Sequence, residues 1–413
     1  MVESSGKPAS YVLCHHCDLL SELPSIANQY KAVCPRCNTR LARGRSNMKL
    51  NTIVYSLCSL FMLAMTCCFI FIHIRVMGIT NSLNILAIPD ILYRDNYMSL
   101  MLLFLLFVLL FPAITLIIQI VVCSKIPLSK YRKRDLLIVY EKLQSWCMPE
   151  IFMAGVLVSF VKLTSYGDIG IDRAFWSFCF FIIFYLKASI DFSIRKIWNE
   201  LATNNFVKTE LKSGKTGMSQ QVRLCLCCHA MLPAEQRHCP RCKQKGQVRE
   251  RNKIQWTLAL LVTSLILYIP ANLFGVMNTI FVGSASSSTI LDGVIYMWKD
   301  GDYPVALVIF TASVIIPILK IIALTWLCYF ASMFGRKRKR DCIKMNKLYN
   351  VVEFIGRWSM IDIFVVSIIS ALIRNGEMMA VYPDVGAIFF AIVVIITMVA
   401  SHQYDPRLIW DKR

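Results

Sequence analysis

Eight mainly apolar stretches recur along the chain, near residues 51–74, 98–123, 148–166, 174–194, 254–277, 303–330, 358–374 and 382–402. Each is close to the ~20 residues that cross the hydrocarbon of a bilayer as a helix. Glu150, Lys162, Lys187, Asp191 and Asp362 interrupt the third, fourth and seventh. The pattern therefore predicts a mainly α, polytopic membrane protein with eight transmembrane helices. Between the fourth and fifth stretches, and before the first, the chain is polar and rich in cysteine.

The same pattern repeats. WCMPEIF (Trp146 to Phe152) returns as WSMIDIF (Trp358 to Phe364) after a step of 212 residues, and ASIDFSIRKIW (Ala188 to Trp198) returns as ASHQYDPRLIW (Ala400 to Trp410) at the same step. A duplicated unit of one cysteine cluster and four spans accounts for this. An even number of spans inserts both copies the same way up, so the two four-helix repeats are expected to be parallel, related by an axis along the membrane normal. The division that follows is 1–48, an N-terminal ribbon; 49–200, the first transmembrane repeat; 201–252, a linker and second ribbon; and 253–413, the second repeat.

Charge sets the expected orientation. KIPLSKYRKRD, QVRERNK and GRKRKR lie in loops on one side, whereas the opposite loops hold only Arg75, Arg94, Arg173 and Lys299 among several acids. Basic loops stay cytoplasmic, which places both termini and both cysteine clusters in the cytoplasm. The N-terminus has no short apolar core with a cleavage site, so no cleaved signal peptide is expected. A composition with 56% hydrophobic and 17% charged residues agrees with a bilayer, and the net charge of +20 sits in runs flanking the spans. Topology and anionic headgroups account for those runs, and nucleic acid is not an expected partner.

Two clusters carry the clearest chemistry. Cys14xxCys17 and Cys34ProArgCys37 are separated by 16 residues, and Cys225xxCys228 and Cys239ProArgCys242 by 10. Paired CxxC turns present four thiolates to a tetrahedral ion, and a reducing compartment argues against disulfides. The expectation is two structural Zn²⁺ ribbons with all four ligand positions filled; iron or redox-active thiols are the alternatives. Cys227, His15, His16, His229 and His238 flank the knuckles, but Cys225 with Cys228 is the better-spaced pair. Cysteines in the spans read as small packing residues.

Ionisable groups at membrane depth face a cavity, a partner or a substrate path. Glu150 and Asp362 occupy equivalent positions after Trp146 and Trp358. With Ser359, Lys162 and Thr397 they form the candidate substrate-binding set, weighed against simple anchoring of acids near helix starts. Pro112 and Pro317 predict bends in the second and sixth spans, with Lys320 one turn beyond the latter, and Pro270 predicts a break in the fifth. The sequence contains no GxSxG elbow, phosphate-binding loop or HExxH motif, so no enzyme is expected.

With its CxxC and CPRC pairs, the repeated WxMxxIF segment, AGVLVSFVKL, QWTLALLVTS, LYIPAN and the closing YDPRLIW, the chain resembles the paraquat-inducible protein A family over essentially its whole length. The resemblance implies a protein of the inner membrane of Gram-negative bacteria that works with a PqiB-like MCE-domain protein. That partner forms a periplasm-spanning tunnel for phospholipid, and the system supports outer-membrane integrity. It also implies a polar cluster in the membrane, matching Lys162, Asp362 and Thr397. One branch of the family carries an acid where this chain has Ser165. A metal or redox sensor and a thiol or quinone oxidoreductase are the competing readings.

Overall fold

The computed structural model describes residues 10–411 apart from 24–25, 29, 46, 77–78, 164–167, 203–205, 208–210, 250–251, 282–283, 300, 302, 333–337 and 373–378. Two hairpins open the chain: β1 (Ser10–Leu13) with β2 (Leu20–Leu23), and β3 (Lys31–Val33) with β4 (Arg40–Arg43). The first half continues with α1 (Met48–Cys68), β5 (Ile72–Val76), β6 (Ile79–Leu83), α2 (Ala87–Arg94), α3 (Met98–Phe104), α4 (Phe111–Cys123), α5 (Lys130–Gln144), α6 (Pro149–Leu163), β7 (Asp168–Ile171), α7 (Arg173–Asp191) and α8 (Ile194–Leu201). A further hairpin, β8 (Val222–Leu224) with β9 (Met231–Pro233), precedes the second half. That half holds α9 (Lys253–Leu273), β10 (Met277–Phe281), β11 (Ser284–Ser288), α10 (Ile290–Lys299), α11 (Tyr303–Phe310), α12 (Ile316–Ser332), α13 (Lys339–Trp358), α14 (Ile361–Leu372), β12 (Met379–Pro383) and α15 (Val385–Gln403).

Among the described residues, eight helical segments are long and apolar enough to cross a membrane. Two of them differ from the sequence expectation, because each is longer than one apolar stretch and is broken. Lys130–Phe160 breaks between α5 and α6, and Lys339–Leu372 breaks between α13 and α14. Pro149 explains the first break, since proline disfavours helical backbone in the residue before it and opens a helix well at its first position. At the second break the step from Trp358 to Ile361 occupies the same place in the order of elements without a proline.

The prolines of the second and sixth spans act alike. A π-helical stretch at Leu105–Leu110 precedes Pro112, and another at Thr311–Ile315 precedes Pro317. A proline has no N–H and its ring crowds the carbonyl one turn back, and a widened turn relieves both. Pro270 behaves differently from its expected break. It lies in the last turn of α9, which runs on to Leu273, and the Asn272 side chain donates to the Tyr268 carbonyl at 2.8 Å.

One end of the bundle carries two three-stranded antiparallel sheets, ordered β6-β5-β7 and β11-β10-β12. These sheets satisfy backbone groups where the chain leaves the helices. The seam of the bundle is α6 against α14. Apart from Asp362, every residue of α14 is buried, and a Cβ placed on Gly155 would stand 3.2 Å from that of Phe364. Glycine permits this close approach, and Phe152 fills the space beside it with its ring edge toward Phe364.

At the other end the cysteine hairpins cross over. The cluster of Cys14, Cys17, Cys34 and Cys37 packs with Leu324, Leu327, Tyr349, Ile409 and Trp410 of the second half. The cluster of Cys225, Cys228, Cys239 and Cys242 packs with Ile118, Val122, Leu137, Ile197 and Trp198 of the first half. Each CPRC arginine marks the crossing. The Arg36 guanidinium lies 4.6 Å from the centroid of Trp410, and that of Arg241 lies 5.5 Å from Trp198. The two ribbons also meet, through Leu13 and Leu20 against Val222, Leu224 and Met231.

Crossed docking makes a directional prediction. Arg36→Met should lower stability by ~1–2 kcal/mol, the worth of a partly desolvated cation–π contact, and hydrogen exchange should rise in α13 and around Trp410. Protection in α5 and α8 should hold. Loss of protection in the first half instead would contradict the crossing.

Candidate functional site

The four CxxC turns share one backbone solution. The residue after each second cysteine, Asp18, Asn38, His229 or Lys243, has φ between 55° and 61°. Its amide donates to the carbonyl of the first cysteine at 2.8–2.9 Å. Asp and Asn tolerate the left-handed region well, so these identities suit the turn. Each first-cysteine amide in turn donates to a carbonyl five residues on: Leu19, Thr39, Ala230 or Gln244. All eight sulfurs are thereby turned inward and buried.

Within each cluster the four sulfurs lie within 4.8 Å of one another, with Cys14–Cys37 at 3.5 Å, Cys17–Cys34 at 3.4 Å, and Cys225–Cys242 and Cys228–Cys239 at 3.5 Å. Four thiolates around an ion at about 2.3 Å stand roughly 3.8 Å apart, so a small rearrangement receives a tetrahedral metal. The shared hydrogen bonds split the thiols of each cluster, pushing Cys14, Cys17 and Cys228 up and others down. Hydrogen bonds from the Cys14, Cys17 and Cys37 sulfurs, and then from the Cys37 amide, hold the Cys34 thiol far below its usual range against the cost of burial. Cys239 is pulled down to about 7, first by Cys225 and Cys228. Cys227 is not part of the four-sulfur cluster. Burial and the neighbouring charges pull His15 to about 3 and His229 to about 4, so both rings are neutral where the ribbons meet.

The membrane-depth residues divide between two places. Asp362, in the first turn of α14, lines a cavity of about 80 Å³ together with Ser313, Ser288, Thr289, Gly293 and Phe390. Glu150, in the first turn of α6, is not among the lining residues; its Oε2 is buried without a hydrogen-bond partner among the described residues. Ser359 is buried at the break between α13 and α14, and its Oγ likewise has no partner among the described residues. Thr397 is buried in α15. Lys162 lies in the last turn of α6, but its side chain falls outside the described residues, and so do Thr164 and Ser165.

Thr397 instead meets Lys320. The Lys320 Nζ donates to Thr397 Oγ1 at 3.1 Å and to the Gly356 carbonyl at 3.5 Å, and the residue is 3% exposed. No carboxylate lies within ion-pair distance of it among the described residues. Gly356 leaves room for this approach, because a Cβ there would stand 2.9 Å from Nζ and push the ammonium aside. Lys320 follows Ser313 by seven residues, past the π-helical stretch and Pro317. Through Gly356, whose carbonyl it reaches, the ammonium adjoins a second cavity of about 190 Å³, lined by Gly356, Glu353, Arg357, Ser401 and His402.

The cavity around Asp362 opens beneath α10. None of the residues of α10 is buried, and Leu291, Ile295, Tyr296 and Trp298 stand exposed. Its counterpart α2 in the first half is docked, with Ile88 and Leu92 fully buried and α14 as a neighbour. The halves are thus unlike at the sheet end: one short helix covers α14 and the other leaves a cleft. Lys320 was visible in the sequence only as a lone cation in VIIPILKII; its partners come from helices 36 and 77 residues away.

Metal analysis of the purified chain should give one tetrahedral, four-sulfur ion per cluster, with cobalt substitution producing thiolate charge-transfer bands. Cys34→Ser should lose one equivalent, lower the melting temperature and leave the other cluster loaded.

The family model for paraquat-inducible protein A matches residues 50–202 and 254–413. The chain is 46% identical over 405 residues to the intermembrane transport protein PqiA of Escherichia coli, covering 98% of this chain and 96% of that protein. It is 26% identical over 426 residues to a probable intermembrane transport protein of Haemophilus influenzae, covering 98% and 97%. It is also 26% identical over 403 residues to lipophilic envelope-spanning tunnel protein A of Escherichia coli, covering 97% and 91%. No solved structure gives a significant match. Both halves fall within one family model, and the closely similar relatives are matched almost end to end: the chain belongs to the paraquat-inducible protein A family.

Proposed function

We propose that this protein is the inner-membrane component of a lipid transport system. It passes phospholipid between the bilayer and a periplasm-spanning tunnel formed by an MCE-domain partner, and it is not an enzyme. The names of its relatives, intermembrane transport protein and envelope-spanning tunnel protein, support that class of work. The observation that carries the reading is the pairing of an apolar-walled cleft with a buried cation. The cleft under α10 has Asp362 and Ser313 on an otherwise mainly apolar wall, and Lys320 follows Ser313 by seven residues with only neutral oxygens bound to it.

A lipid is such a ligand: acyl chains for the apolar wall, and a zwitterionic or anionic headgroup for the polar groups. α10 has the exposed aromatic and aliphatic side chains of a helix lying in a membrane interface. In this reading it admits lipid at the sheet end, which the distribution of basic loops assigns to the periplasm. The termini and ribbons then lie in the cytoplasm. Lys162, Ser359, Glu150, Asp362 and Thr397 are the substrate-binding set of this reading, and Lys320 joins them.

The two clusters hold Zn²⁺ as structural ions, at Cys14, Cys17, Cys34 and Cys37 and at Cys225, Cys228, Cys239 and Cys242. Full burial of the sulfurs favours bracing over thiol exchange. The domain division is two parallel four-span repeats, 49–200 and 253–413, each clamped by the ribbon of the other, with ribbons at 1–48 and within 201–252.

A buried lysine without a carboxylate is costly to keep. Lys320→Met should therefore leave the protein as stable or stabilise it by on the order of 1 kcal/mol, while abolishing lipid transfer to the tunnel partner in reconstituted vesicles. Asp362→Asn should reduce co-purified phospholipid. Full transfer by a folded Lys320→Met protein would defeat the assignment.

A further inference from the structure

A third cavity, of about 290 Å³, lies at the ribbon end, where α5, the second ribbon, the start of α9 and the C-terminal segment meet. Five cations line it, Lys142, Arg223, Lys245, Lys253 and Arg407, against one acid, Glu141. It is far larger than the ~15 Å³ that holds one water. Nothing in the proposed lipid path uses it. That path runs through α12, α14 and α15, whereas this cavity sits outside the ribbon metal cluster and contains only one of its four sulfurs, Cys225.

The two arginines are fixed, while Lys142 and Lys245 are exposed at the rim. Arg407 is 2% exposed and holds Asp405 with two nitrogens, Nε at 2.8 Å and Nη2 at 2.6 Å. Its third nitrogen, Nη1, is buried with no hydrogen-bond partner among the described residues. A buried guanidinium N–H left unmatched costs free energy that an anion in the cavity would recover. Arg223, also 2% exposed, spends Nε and Nη2 on the Gln236 carbonyl. Gly246 keeps its remaining nitrogen clear, since a Cβ there would stand 2.9 Å from Nη1.

The 21-residue helix α9 begins at this cavity with Lys253, and its N-cap Asn252 makes no side-chain cap. Its first amides and the helix dipole add to the positive field. Three residues on, Trp256 is 65% exposed, as an interfacial tryptophan would be. The cavity is therefore at headgroup level.

We propose that this cavity is a phosphate-binding site, receiving either the phosphate of an anionic lipid in the ribbon-side leaflet or a free phosphate ester. The Arg407 Nη1 and the head of Arg223 supply donors for phosphate oxygens from the wall, lysines surround them, and with Glu141 as the one acid in the lining the field is positive.

Titration of the delipidated full chain in a phosphorus-free maltoside detergent tests this, with short-chain phosphatidylglycerol in one arm and inorganic phosphate in the other. The wild type should bind at least one probe saturably. Lys142→Gln with Lys253→Gln should weaken that binding at least ~tenfold, with metal content and the cleft under α10 unchanged. Gly246→Val, which displaces the Arg223 head without altering charge, should weaken it as well. Binding of the lipid alone assigns the site to a headgroup; binding of both assigns it to phosphate as such. Absence of saturable binding in both arms overturns the proposal, as does binding by both variants at wild-type affinity.

Discussion

A membrane interior supplies no water to an ammonium group, so the buried Lys320 dictates what surrounds it. Thr397 turns its hydroxyl to the lysine and still donates to the Val394 carbonyl. Gly356 gives up a side chain so that the ammonium can approach its carbonyl. The widened turn before Pro317 sets the stretch that carries Ser313, and the break before α14 places Asp362 on a cavity wall. These residues put a buried cation and a carboxylate-lined cavity into the helices of the second half. The first half differs: three residues after Pro112, where the lysine would fall, stands Thr115, which donates to its own helix, and the buried polar groups of α1 and α4 are neutral, Ser56 donating to Gln119 and Gln119 to the Tyr140 hydroxyl.

Such an arrangement needs helices that keep their places, and the crossed ribbons supply a reason. Each ribbon is too small for a core of its own and gains one by docking on the other half. Arg36 over Trp410 and Arg241 over Trp198 repeat the same contact at both docks. Arg249 adds a further tie, bridging Asp18 of the first ribbon to Asp411 near the C-terminus. The ribbon end is thereby locked while the sheet end differs between halves, docked at α2 and open at α10. The proposed function assigns lipid movement to the open end and metal bracing to the locked one.

Much of the architecture was legible in the sequence because its causes are local. Apolar length gave the spans, CxxC spacing gave the clusters, and Pro112 and Pro317 marked the two distorted helices. The third and seventh spans were drawn too short, because the basic segments that begin α5 and α13 read as loops although they are helical. Crossing of the ribbons was not legible at all, since it depends on pairing Arg36 with a tryptophan near the far end of the chain. Among polar residues, the equivalence of Glu150 and Asp362 agrees with their places in the first turns of α6 and α14 but does not show their different surroundings. Lys320 was passed over because nothing beside it in sequence shows that Thr397 and Gly356 converge on it.

The central claim, that lipid occupies the cleft leading to Lys320, is tested most directly by a photo-crosslinking amino acid at Ser313, on the cavity wall, in membranes with phosphorus-labelled lipid. The account predicts labelled phospholipid attached at that position, and its loss when Asp362 is changed to Asn. Crosslinks only to neighbouring helices, with no lipid attached while the protein is folded and metal-loaded, would contradict it.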